Sequence, residues 1–209
     1  MMNIQGQLLL HEGVYEMANH SEDIITYFQK LDRSFFMDEL KEFAYMDEAI
    51  PIGYEQTISQ PSLVLEMTLA LDLQPEAKVL EIGTGSGFQT ALLAAFSKTV
   101  YTIERIAELH ERAKERLDEA GFTNIHFKLD DGSTGWDEHA PYDRIMVTAA
   151  AAQVPIELVE QLAIGGRMII PVGTPLHQEL LLLEKEEDGD IETTVLDEVR
   201  FVPLKGKYE

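Results

Sequence analysis

The stretch Lys78-Val-Leu-Glu-Ile-Gly-Thr-Gly-Ser-Gly87 narrows the choice of fold more than any other part of the chain. A short apolar run ends in an acidic residue, three glycines alternate, and a helix-forming run follows. That order fits a buried strand feeding a tight turn, where glycine lets the backbone turn sharply and come close to a bound nucleotide. A second strand-like run, Thr99-Val-Tyr-Thr-Ile103, leads to Glu104, 21 positions after Gly83. A carboxylate at that distance can hold both hydroxyls of a ribose. Together these predict a nucleotide cofactor on a parallel α/β sheet.

The rest of the chain agrees. Strand-like runs at 78–82, 99–103, 125–129, 143–148 and 167–172 alternate with helical ones. The helix over 106–120 puts Ile106, Leu109, Ala113, Leu117 and Ala120 on one face and closes at Gly121; another spans 155–163 from Pro155. This predicts an α/β fold with a Rossmann-like, doubly wound, mostly parallel sheet and helices on both faces. Residues 179–185 and 193–201 flank the polar turn Glu186–Asp190 and predict an antiparallel strand pair added to the sheet edge. The first 50 residues read as a polar helical cap. Ser21 is placed to cap a helix through Leu31, with Ile24, Ile25 and Phe28 at helical spacing, and Phe35, Phe36, Leu40 and Phe43 form a second apolar group. Residues 44–53 read as irregular, and a helix follows Ser59-Gln60-Pro61. The expectation is one domain over 1–209, with 1–75 as helical cap and substrate-side segment and 76–209 as the core with its C-terminal strands.

Composition limits the partners. There is no cysteine, which excludes disulfides and thiolate chemistry. With 16 basic against 38 acidic residues the net charge is −22, which repels a phosphate backbone and argues against nucleic acid. A cationic cofactor is favoured, whereas an anionic substrate needs local shielding. No run nears the ~18 apolar residues of a membrane span, and no secretory signal is visible. The expectation is a soluble cytoplasmic protein without membrane partners; the oligomeric state stays open, and a monomer fits. The six histidines show no metal-ligand spacing, so no metal is expected.

A nicotinamide loop needs glycine at its first, third and sixth positions, and the sixth here is Phe88. Glycines at 83, 85 and 87 instead resemble the loop of S-adenosylmethionine-dependent methyltransferases. In such sheets the ligand lies beyond the strand tips. The predicted tips are polar: Glu81 with the glycines, Glu104-Arg105, Asp130-Asp131-Gly132, and Thr148. From Tyr45 to Leu204 the chain resembles the protein-L-isoaspartate O-methyltransferase family. The resemblance is carried by Pro51-Ile-Gly53, Gln56-Thr-Ile-Ser-Gln-Pro61, Val79–Thr90, Val100–Arg105, Asp131-Gly132, Gly135-Trp136, Val147–Ala151, Gly165-Gly-Arg167, Pro171-Val-Gly173 and Phe201-Val-Pro-Leu204.

That resemblance implies methylation of the misplaced α-carboxylate of an isoaspartyl residue in damaged proteins or peptides, with S-adenosylmethionine as donor and S-adenosylhomocysteine as product. It implies that Gly83, Gly85 and Gly87 line the methionine tail and Glu104 holds the ribose. Asp131 would meet the adenine amino group, with Gly132 leaving room beside it. Glu81, Arg105 and Thr148 join the cofactor set as strand-tip residues. Ser59 would act between donor and acceptor, with Thr57 and Ile58 beside it, and Phe201, Val202 and Leu204 would offer an extended backbone edge to the substrate peptide. Capping of the following helix is the plainer reading of Ser59. Trp136 is expected to pack over the cofactor-side loop, and Arg105 either fixes Glu104 or faces water. A carboxylate acceptor is ionised at neutral pH, so no general base is needed. The chain departs from the family pattern at Glu55 and Asp130, where glycine is common, and at Leu31-Asp-Arg33 in place of Val-Pro-Arg. These departures bear on the acceptor more than on the donor. The alternatives are a methyltransferase of this fold acting on another carboxylate or a dedicated peptide, and a donor-binding module without turnover.

Overall fold

Val79, Leu80 and Ile82 point to alternate faces of one strand, and all three are buried. A strand can bury both faces only inside a sheet covered on both sides. The computed structural model describes residues 20–207 and shows that arrangement. Strands β1 (Ile50–Gly53) and β2 (Gln56–Ile58) form a small antiparallel hairpin. The main sheet contains β3 (Lys78–Ile82), β4 (Thr99–Glu104), β5 (Ile125–Leu129), β6 (Tyr142–Val147), β7 (Leu162–Thr174), β8 (His177–Lys185) and β9 (Ile191–Val199), in the order β5-β4-β3-β6-β7-β8-β9. Strands β5 to β7 across that order are parallel, and β8 and β9 join antiparallel at the edge. The helices are α1 (20–30), α2 (Pro61–Leu71), α3 (Phe88–Ala95), α4 (Ala107–Glu119) and α5 (Ile156–Gln161). Helix α1 belongs to a first compact unit, Met1–Asp32; Arg33–Glu209 is the second and carries both sheets.

The two faces have separate cores. Val79, Val100, Met146 and Ile169 pack with Met67 and Leu71 of α2 and Leu93 of α3. Leu80, Ile82, Ile145 and Ile170 pack with Leu158 of α5. The order in which strands are added reverses at β3, which has β4 on one side and β6 on the other. The crevice this leaves beyond the strand tips is the usual ligand position in such sheets.

Several expectations need correction. Ser21 lies inside α1 and does not cap it, and the apolar group Phe35–Phe43 sits on two short 3-10 turns, Arg33–Phe36 and Lys41–Phe43. The part of the expected cap before residue 20 lies outside the described residues. The stretch read as irregular contains β1 and opens a hairpin whose turn, Tyr54-Glu55, is left-handed at both residues (φ 54° and 60°). That is the tight hairpin turn that favours glycine and asparagine, and it has neither here. Strand β7 starts at Leu162, five residues earlier than its apolar run implied, and shortens the helix before it. Trp136 packs edge-on against Tyr101 (5.5 Å) and His139 (4.9 Å) and accepts a bond at its carbonyl from Tyr142, away from the cofactor-side loop.

Glu81 is the exception in the core. It is fully buried in β3, where Oε2 accepts hydrogen bonds from Thr90 (2.6 Å) and Thr102 (2.7 Å), and Oε1 has no partner. Burial pushes its carboxyl up to about 8, against the pull of the two threonines and with a smaller push from Glu104. The folded state therefore holds a proton that the unfolded chain releases near 4.5. Stability contributed by that proton is full below 4.5 and falls as pH rises toward 8, by up to about 1.4 kcal/mol per unit. Glu81→Gln removes this dependence. Thermal melts of both proteins at pH 5 and 9 should show the variant gaining on the wild type at the higher pH; an equal difference at both would contradict a raised Glu81.

Candidate active site at the strand tips

Gly83 follows β3 with φ 94°, and its amide donates to Ile103 O (2.8 Å). A Cβ there would stand 2.4 Å from Thr148 Oγ1. That hydroxyl donates to Ile82 O (3.0 Å) and Gly83 O (2.7 Å), tying the tip of β6 to the tip of β3. Glu104 ends β4 and is 5% exposed. Its Oε2 accepts from Gly85 N (2.9 Å), and its Oε1 accepts from Arg105 N (2.8 Å) and Ile106 N (2.9 Å). An ionised carboxylate has about four acceptor positions, so one remains for a ligand hydroxyl. Below the loop, the hydroxyls of Thr84 and Thr102 lie 2.6 Å apart, and Thr102 donates to Glu81.

The hairpin faces this loop. Ile52 Cδ1 lies 3.8 Å from where a Cβ of Gly85 would be. Ser59 does not cap α2: the cap position is Gln60, whose side chain makes no capping bond to the helix backbone and donates to Ser62 Oγ (3.0 Å). Asp47 takes over that task, accepting from Ser62 N (2.8 Å) and Ser62 Oγ (2.8 Å), and these bonds hold its carboxyl below the usual range. The third wall follows β9. Ala150 N donates to Val202 O (2.8 Å) and Leu204 N donates to Ala150 O (2.7 Å). Phe201 N and O bond to the amide side chain of Gln178 (2.6 and 3.1 Å).

These walls border a cleft with about 890 Å³ of empty space, open solvent included. It is lined by Thr57, Ile58 and Ser59, by Gly83 and Gly85, by Glu104 and Arg105, by Gly132 and Thr148, and by Phe201, Val202 and Leu204. Three predicted residues are not brought to it. Glu81 points into the core. Gly87, at φ 87°, is needed because a Cβ would come within 3.1 Å of Leu117 on α4. Asp131 caps a 3-10 turn through Ser133 N (2.9 Å) and accepts from Lys207 N (3.3 Å). It lines a neighbouring cavity with Leu129, Asp130 and Gly206, which joins the cleft at Arg105 and Lys205. Gly132 makes room for Ile82, whose Cγ2 would stand 2.5 Å from a Cβ, and it also lines the cleft. The side chain of Arg105 is exposed, and only its backbone fixes Glu104. The Phe201–Leu204 segment is already hydrogen-bonded on its inner side, and Pro203 has no N–H, so it offers side chains to the cleft more than a free backbone edge.

Other residues were missed. Thr84, Ser86 and Gln89 line the cleft; the first two stand between the glycines, where attention to glycine hid them. Lys205 lines both cavities, directly after the Phe-Val-Pro-Leu run. Among the described residues, no group of three or more histidines and carboxylates is placed to hold a metal ion, and no helix is long and apolar enough to cross a membrane.

Comparison with known proteins identifies the family. The family model described as Protein-L-isoaspartate(D-aspartate) O-methyltransferase matches residues 5–209. The chain belongs to this family. A protein-L-isoaspartate O-methyltransferase of Dictyoglomus turgidum is 50% identical over 203 residues, covering 97% of this chain and 90% of its own length. One from Ectopseudomonas mendocina is 50% identical over 197 residues, 93% of each. A solved protein-L-isoaspartate O-methyltransferase superposes with a TM-score of 0.80 at 28% identity, covering 98% of this chain and 67% of its own. A Plasmodium falciparum structure described under the same family name, in complex with S-adenosyl-L-homocysteine, gives 0.74 at 25% identity, covering 88% and 90%.

Against the isoaspartate methyltransferase pattern, the two departures at glycine positions have local explanations. Glu55 is at a left-handed turn position that glycine fills without strain, and its side chain is exposed and outside the cleft lining. Asp130 is exposed and paired with Lys128 at 2.7 Å, which holds its carboxyl below the usual range.

Gly83→Ala tests the cradle. The left-handed backbone costs an alanine about 1–2 kcal/mol. The larger effect is displacement of Thr148. Calorimetry with S-adenosylhomocysteine should show roughly tenfold weaker binding, about 1.4 kcal/mol; unchanged affinity would mean that the loop is not the donor site.

Proposed function

We infer that this chain transfers the methyl group of S-adenosylmethionine to the free α-carboxylate of L-isoaspartyl residues in damaged proteins or peptides. The observation that carries this reading is the placement of Thr57-Ile58-Ser59 and Gly83–Gly85 on one cleft. The residues present fit the donor. The glycine loop leaves space that a side chain would fill, Glu104 keeps an acceptor position for a ribose hydroxyl, and the Arg105–Asp131 cavity opens at the adenosine end. Bound there, S-adenosylmethionine supplies a methyl group on a cationic sulfur that needs no activation.

The chain's own residues then bind and orient. The acceptor carboxylate is ionised at neutral pH, its ordinary value being near ~4. No base has to remove a proton, and among the described residues no histidine lines the cleft. Holding two reactants in line can lower a barrier by roughly 7–11 kcal/mol, and that is the task left to the protein. We assign Ser59 to the acceptor side, its hydroxyl donating to the acceptor carboxylate or to the donor's amino-acid tail. Thr57 and Ile58 flank it, and Phe201, Val202 and Leu204 form the opposite wall. Gly83, Gly85, Thr148 and Gly132 shape the donor side, and Asp131 bounds its adenosine end.

Charge also fits. The chain carries −22, yet among the described residues the ionisable ones lining the cleft are Glu104, Arg105 and Lys205, a local sum of +1. This is the shielding that an anionic acceptor requires. The damaged polypeptide is the partner implied.

The direct test is labelled-methyl transfer to an isoaspartyl peptide beside its aspartyl twin. Label on the isoaspartyl peptide alone is expected; label on both or on neither would overturn the reading. Ser59→Ala should lower kcat about 10²-fold, the scale of losing one transition-state hydrogen-bond donor. Its affinity for S-adenosylhomocysteine should match the wild type, and an unchanged kcat would remove Ser59 from catalysis.

A further inference from the structure

Arg33 is 3% exposed, yet its guanidinium makes no hydrogen bond to a carboxylate among the described residues; five backbone carbonyls surround it. One terminal nitrogen donates to Ala44 O (3.0 Å) and Met46 O (3.3 Å). The other donates to Glu48 O (2.8 Å), Ile58 O (3.2 Å) and Ser59 O (3.0 Å). Nε has no partner. Burying a guanidinium with one donor unpaired costs stability, and burial pulls its proton affinity down against the opposing charge of Asp47. Such an arrangement persists where the position of the bonded groups matters.

Those groups are the two ends of the hairpin. Glu48 precedes β1 and Ser59 follows β2, and a single nitrogen of Arg33 holds both carbonyls. Between Met46 and Glu48, Asp47 pins the first turn of α2. The clamp therefore fixes where Ser59 leaves the hairpin and where α2 begins. The turn at the far end, with two left-handed non-glycine residues, cannot hold the hairpin by its own preference. None of these bonds touches the glycine loop or Glu104.

We propose that Arg33 is the positioning residue of the acceptor half of the site: its five carbonyl bonds set the place of Ser59 and its strand while leaving donor binding to the β3 and β4 tips. The proposal rests on placing the acceptor at the hairpin, as in the reading above. Lysine keeps the charge but has one nitrogen with three donors, too few to hold five carbonyls spread over two terminal nitrogens.

The test uses Arg33→Lys and Arg33→Gln in the full chain. Both should bind S-adenosylhomocysteine within about twofold of wild type while KM for an isoaspartyl peptide rises roughly tenfold or more, the pattern of lost substrate positioning. Hydrogen exchange should speed at residues 56–59 and stay unchanged at 83–85 in both variants. This readout does not depend on which acceptor is methylated: faster exchange at 56–59 in a chain that fails to methylate isoaspartyl peptide would sink the functional reading and keep the clamp. An unchanged KM with unchanged exchange would overturn the proposal. So would donor affinity falling in step with turnover, or failure of both variants to fold, because Arg33 would then serve the whole domain.

Discussion

The Glu104 carboxylate holds together the part of this molecule on which the site depends. It takes the Gly85 amide on one side and the Arg105 and Ile106 amides on the other, and so fastens the loop after β3 to the end of β4. Without it the glycine loop, whose residues resist no particular backbone angle, would have little to fix it. Charge-assisted bonds of this kind are stronger than neutral ones, and 5% exposure keeps water from competing. The same group keeps one acceptor position, so on the proposed function the loop's anchor and the ribose contact are one side chain.

Around this anchor the fold separates two tasks. The parallel strands and their glycine turn form the donor half, with Thr148 locking β6 to β3 from the other side. The acceptor half is a small hairpin with a poor turn, fixed from beneath by a buried guanidinium. On the proposed function the donor is met by the sheet, whose strands are buried on both faces, and the acceptor by an added piece held by a few polar bonds. An enzyme that repairs damaged residues in many proteins benefits from that division, because the acceptor side must take varied polypeptides while the donor never changes.

The parts legible in the sequence were those with a period. The strands β3 to β6 and helix α4 follow apolar spacing, and Gly83, Glu104 and Thr148 follow from the rule that ligands sit at strand tips. Glu81 was misread for a physical reason. A residue in the last turn of a strand alternates like the rest, and Glu81 shares a face with Val79, so it enters the core where Thr90 and Thr102 receive it. Gly87 was read as lining the methionine tail, yet it stays out of the cleft lining and a side chain there would meet Leu117. Only three-dimensional packing shows what a missing Cβ avoids. Asp131 was placed against adenine, and the structure shows its carboxylate holding a turn and the Lys207 amide. Arg33 was noted only within the segment Leu31-Asp-Arg33, and its role was hidden because its partners are carbonyls, which every residue has. The hairpin escaped because its turn lacks the glycine or asparagine that marks such turns.

The central claim is that one cleft at the tips of β3, β4 and β6 holds the donor on Glu104 and presents its methyl to the hairpin. The most direct measurement is a crystal structure of the protein with S-adenosylhomocysteine and an isoaspartyl peptide. The account predicts the ribose hydrogen-bonded to Glu104, the adenine toward the Arg105–Asp131 cavity and the peptide carboxylate beside Ser59. A nucleoside bound away from Glu104, or a peptide carboxylate on the far side of the cleft from Ser59, would contradict it.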